Sequence, residues 1–68
     1  MSEKALLLVR EEIIQIIQEK YPKVSYEKAL DIARDMISKI EWNDSTLMHK
    51  GISWITNYYL RSYEDVLV

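Results

Sequence analysis

Apolar residues recur three and four positions apart along nearly the whole chain, the spacing of an α-helix. Alternation with a period of two, which would mark strands, is not sustained anywhere, and no Asn-Gly or Asp-Gly hairpin turn occurs. The pattern predicts an all-α fold of three helices, over about residues 3–20, 25–41 and 45–63.

In the first helix, steps of ~100° bring Leu6, Val9, Ile13, Ile14, Ile16, Ile17 and Tyr21 to one side. Glu11, Glu12, Gln15, Gln18 and Glu19 take the other, and Leu8 falls among them. The apolar arc spans about 200°, wider than the ~100° stripe that one packing partner requires. Pro22 supplies the stop, because the residue before a proline avoids the α region.

Ser25 is a favourable N-cap for the second helix. Ala29, Leu30, Ala33, Met36, Ile37 and Ile40 form its apolar stripe, opposite Glu27, Lys28, Asp31, Arg34, Asp35 and Lys39. Asp35 and Lys39 stand one turn apart in the favourable order for an ion pair.

The turn formers Asn43 to Thr46 separate this helix from the third. There, Leu47, Met48, Ile52, Trp54, Ile55, Tyr58, Tyr59 and Tyr63 share an arc of roughly 180°. Gly51 falls inside that arc. A helical glycine there costs about 1 kcal/mol relative to alanine, which suggests close approach by a neighbouring helix or ring; the alternative is drift, since an isolated helical glycine is tolerated.

Short connections place consecutive helices antiparallel, so the expected architecture is an up-down-up three-helix bundle. A helical hairpin crossed by the third helix is the alternative. At 68 residues the chain is read as one domain, residues 1–68. Such a chain buries only roughly 60% of its unfolded surface and needs a staple. With no Cys and one His, disulfides, thiolate chemistry and a zinc site are unavailable, and no metal or cofactor is expected. A second subunit is the remaining staple, so completion of the bundle by homodimerisation is expected.

The surplus of apolar residues points the same way. Leu8, Leu60, Val66, Leu67 and Val68 lie outside or at the edge of the main arcs. The expected interface residues are Leu8, Ile14, Ile17, Trp42, Trp54, Tyr59, Leu60 and Tyr63. Trp and Tyr are frequent anchors of protein contacts, although Trp54 and Tyr58 equally suit a small core.

Charge changes the functional reading. Nine basic and eleven acidic residues give a net of −2, interleaved along the chain. Nucleic-acid binding usually rests on a basic excess, which is missing. Lys50, Asn57 and Arg61 on one side of the third helix keep a small DNA-binding regulator as the alternative reading. His49 has no carboxylate placed to orient it, and Asp31 and Asp35 belong to a mixed-charge face. One glycine excludes a phosphate-binding loop, and the serines show no nucleophile elbow. The expected function is therefore non-enzymatic, with action through protein–protein contact as a regulator, inhibitor or assembly subunit. The longest apolar run, Ala5 to Val9, is far short of the roughly 20 residues of a membrane span, and no secretory signal pattern precedes it. A cytoplasmic protein is expected. Abundant Ile, Lys, Tyr and Asn match AT-rich coding, suggesting a bacterial, phage or plasmid source.

Overall fold

The structure, a computed structural model, describes residues 2–67. Those residues form helices and no strand. Helix α1 spans Glu3–Lys20 and helix α2 spans Tyr26–Lys39. Both begin on serine caps. The Ser2 hydroxyl accepts from the Ala5 N–H at 3.2 Å, and the Ser25 hydroxyl accepts from the Lys28 N–H at 3.2 Å. Each satisfies one of the orphan amides of a first turn, a contribution of about 1 kcal/mol. Glu3 and Glu27 in the first turns, with Lys20 and Lys39 in the last, complement both helix dipoles.

Helix α2 ends earlier than the pattern predicts, because Ile40 is already extended. The chain turns back over that end, and the Trp42 indole N–H donates to the Ile37 carbonyl at 3.0 Å. One terminal carbonyl of α2 is thus satisfied by a side chain.

The third predicted helix is interrupted. A single turn, α3 (Ser45–Met48), is capped by the Asp44 carboxylate, which accepts from the Leu47 N–H at 3.1 Å. Helix α4 (Ile52–Leu60) starts three residues later and passes through a 3-10 turn (Arg61–Tyr63) into a last turn, α5 (Glu64–Leu67). Gly51 lies between them with φ 87° and ψ 157°, a conformation essentially reserved for glycine. The expectation that it admits a close neighbour is corrected: a Cβ at this position would meet nothing within 4 Å. Gly51 is there for its backbone, and it resets the rotation of every residue after it.

Helix α1 is the shared element, packed against both α2 and α4, while α3 rests on α4. Gln18 Nε2 donates to the Val24 carbonyl near the α1–α2 connection. At the other end Leu6 and Leu7 face Arg34 and Ile37 across a groove, so α1 and α2 run antiparallel. The core joins Ile13, Ile14 and Ile17 of α1 to Ala29, Ile32, Ala33 and Met36 of α2 and to Ile55 and Leu60 of α4. Ala29 and Ala33, one turn apart and fully buried, present no bulk where α2 meets the rest of the core. Burial of each large side chain here stabilises by roughly 1.5–3 kcal/mol.

The wide arc of α1 is therefore divided along its length. Its middle is covered by two helices, while Leu6, Leu7 and Leu8 near its start remain exposed. Tyr63 and Leu67 close the core at the other end of the chain. Val68, counted with Val66 and Leu67 as surplus, lies outside the described residues.

Candidate protein-interaction face

Packing on α1 selects the side of α4 that faces inward. Ile55, Thr56, Leu60 and Tyr63 turn to the core. Trp54 and Tyr58, predicted on the same arc as Ile55, lie outside it at 45% and 50% exposure. The aromatic run is thus split between the two roles that the sequence leaves open.

Outside, four side chains form a stripe in the order Lys50, Trp54, Tyr58 and Arg61. Intervals of four and three keep Trp54, Tyr58 and Arg61 on one side of the helix, and Lys50 reaches it from the turn before Gly51. The Trp54 and Tyr58 rings stack with centroids 5.2 Å apart and planes 10° apart. The Lys50 ammonium sits 5.3 Å from the Trp54 ring centre, and the Arg61 guanidinium sits 5.8 Å from that of Tyr58. Both distances lie within the range of cation–π attraction, and such exposed contacts contribute about 0.5–1 kcal/mol. Tyr59 meets Tyr58 edge-on, centroids 5.6 Å apart, and carries the stripe to the core margin.

Lys20 reaches this face from the end of α1. Its ammonium donates to Asn57 Oδ1 at 3.3 Å, while Asn57 Nδ2 donates to the Ser53 carbonyl at 2.9 Å. Between them lies a groove of about 250 Å³ lined by Lys20, Tyr21, Trp54, Tyr58, Arg61 and Glu64, among others. A second groove of about 350 Å³ shares Lys20 and Tyr21 and continues over Pro22, Lys23, Val24 and Leu67.

The other predicted interface residues separate into three groups. Leu8 is the most exposed large apolar residue, at 66%, and stands beside Leu6 and Leu7. Trp42 and Tyr59 are partly buried against the core. Ile14, Ile17, Leu60 and Tyr63 are corrected, because all four lie within the core of the single chain. The helical wheel counted Ile14 and Ile17 as more than one partner could cover; α2 and α4, both packed on α1, cover them. Leu60 was displaced to an edge by the assumption of an unbroken helix.

A polar cluster at the end of the core was only half visible in the sequence. Lys39 Nζ lies 3.0 Å from Asp35 Oδ2, and the Tyr63 hydroxyl donates to the same oxygen at 2.5 Å. The hydrogen bond from Tyr63, then that from Lys39, holds the Asp35 carboxyl below the usual value. Burial, followed by the hydrogen bond to Asp35, pushes the Tyr63 phenol up. The hydrogen bond to Asp35 raises Lys39. The spacing of Asp35 and Lys39 is a sequence signal; Tyr63, 28 residues from Asp35, is brought in by folding alone. This cluster fastens the 3-10 turn to α2. A similar clasp joins α1 to α2, where the Tyr26 hydroxyl donates to Glu11 Oε1 at 2.7 Å, a bond that raises the Tyr26 phenol.

His49 is exposed at the end of α3. Among the described residues, no group of three His, Cys, Asp or Glu side chains is placed to hold a metal ion. No helix among them is long and apolar enough to cross a membrane. Comparison of the chain with protein-family models, with curated proteins and with solved structures returns no match.

Proposed function

We propose that the protein is a non-enzymatic helical module that acts through protein–protein contact, as a regulator, inhibitor or assembly subunit. One observation carries the reading: Trp54 and Tyr58 lie stacked outside the core, bracketed by Lys50 and Arg61. Trp, Tyr and Arg are the residue types most enriched among the anchors of protein interfaces. Stacking holds the two rings in one arrangement before any partner arrives, which lowers the entropy lost on association.

Self-association belongs to the same reading. A symmetric dimer would complete an up-down-up arrangement by covering the α1 edge formed by Leu6, Leu7 and Leu8. Sedimentation velocity across micromolar concentrations tests this part. A dimer loosened by Leu8→Lys, with the melting transition retained, is the expected result; a wild-type monomer at high micromolar concentration refutes it. A photo-crosslinking residue at position 58, expressed in the source cells, tests the α4 face. Capture of a protein at position 58, with none from an exposed control position on α2 such as Asp31, is expected. No capture at position 58 refutes the contact face.

A further inference from the structure

The geometry points to an acidic protein segment, with an apolar side chain between its carboxylates, as the ligand of the paired grooves at the end of α1, one against α4 and the other over residues 22–24 and Leu67. It rests on the reading of α4 as a contact face. The first observation is where charge accumulates. Lys20, Lys23 and Arg61 line the two grooves, and Lys50 lies over the Trp54 wall. Four of the nine basic residues thus gather here, against one of the eleven acidic residues, Glu64. A chain with a net charge of −2 therefore carries a locally cationic cleft on an otherwise strongly acidic body. Complementary potentials of this kind steer association and select partners.

The second observation is that, among the described residues, none of these cations forms a salt bridge. The one salt bridge among the described residues joins Lys39 to Asp35, far from the cleft in sequence. Lys20 is held by the neutral Asn57 amide, and Lys50 and Arg61 lie against aromatic rings. Their N–H groups remain available to carboxylates, and Arg61 can offer two in parallel.

The third observation separates a peptide from a nucleic acid. Proteins that take single strands stack bases on open ring faces. Here the Trp54 and Tyr58 faces are occupied by each other and by the two cations. The neighbouring groove sets an apolar wall of Tyr21, Pro22, Val24 and Leu67 beside Lys20 and Lys23, which suits an apolar side chain flanked by carboxylates. Cationic and apolar sites side by side match an acidic segment interrupted by a leucine-like residue.

The test uses fluorescence anisotropy of a short labelled peptide in which pairs of Glu alternate with pairs of Leu, titrated with the full chain. Saturable binding is expected, weakening as salt rises because exposed charges are screened. The double variant Lys20→Glu, Arg61→Glu should bind at least about tenfold more weakly, since it reverses two charges at the rim. Both side chains are exposed, and circular dichroism of the variant confirms that the fold is retained. Four results overturn the inference. The peptide fails to bind; the Lys/Leu counterpart binds as well; the double variant binds unchanged; or an oligothymidylate binds more tightly than the peptide. Wild-type self-association abolished by the double variant also overturns it, by showing a second copy on this face. Peptide failure alongside protein capture at position 58 removes the acidic-partner chemistry and leaves the contact face standing; failure of both removes both.

Discussion

Replacing Gly51 by alanine gives opposite signs for the two descriptions of residues 45–63. In one unbroken helix, Gly51→Ala would stabilise by about 1 kcal/mol through helix propensity. The structure places Gly51 at φ 87° and ψ 157°, where a side chain strains the backbone by roughly 1–3 kcal/mol. Nothing lies within 4 Å of the added Cβ, so neither clash nor new packing alters that figure. Alanine also restricts the unfolded chain, which returns about 0.4–1 kcal/mol. The expected net loss is about 1–2 kcal/mol. For a domain of this size each kcal/mol moves Tm by about 4–8 °C, so a fall of roughly 5–15 °C is expected. Thermal melts of both proteins, followed at 222 nm, give the sign, and urea titrations with equal m-values confirm that the same transition is compared. A Tm equal to or above that of the wild type, especially with increased helicity, would refute the break at Gly51.

Other substitutions probe the remaining supports. Ser25→Ala should lose about 1 kcal/mol by removing the cap bond to the Lys28 amide, read as a lower urea midpoint. Ile17→Ala should lose about 2–5 kcal/mol by opening a cavity at a fully buried position, whereas Leu8→Ala should stay within about 0.5 kcal/mol; equal losses at the two sites would contradict the packing. Thr56→Val should raise stability by about 1 kcal/mol, because the Thr56 hydroxyl is buried with no hydrogen-bond partner, and an unchanged or lower midpoint would show that it has one. Tyr63→Phe should cost about 1 kcal/mol at neutral pH by removing its hydrogen bond to Asp35. The lowered Asp35 carboxyl contributes stability above its unfolded value near 3.9, lost as pH falls through the lower folded value. The raised Lys39 and Tyr63 contribute stability below about pH 10, lost as pH rises through their folded values. Urea midpoints of Tyr63→Phe should therefore fall less steeply than those of the wild type at both the acidic and the alkaline end; parallel curves would exclude the cluster.

Much of the helical content was legible in the residues because helix formation is signalled locally. Apolar spacing, the cap Ser25, the turn formers from Asn43 to Thr46 and the stop before Pro22 act within a few positions, so a linear reading reaches them. The same periodicity placed Ile13, Ile14 and Ile17 on one apolar side of α1, without deciding what covers them. Gly51 was conspicuous too, yet its role was misassigned. A glycine inside an apolar arc looks the same whether it admits a neighbour or breaks the helix by a positive φ.

What only the tertiary structure decided follows from that one residue and from the placement of α1. The break freed α4 from the phase of Leu47 and Met48, and packing on α1 buried Thr56 and Leu60 and left Trp54 and Tyr58 outside. The position of α1 between two helices buried Ile14 and Ile17 within one chain. Folding also joined Tyr63 to Asp35 and Lys20 to Asn57, pairs separated by 28 and 37 positions. Periodicity records the angle of a side chain about its own axis. Which angle is covered depends on the other helices, and the sequence states that only through contacts that form when the chain closes on itself.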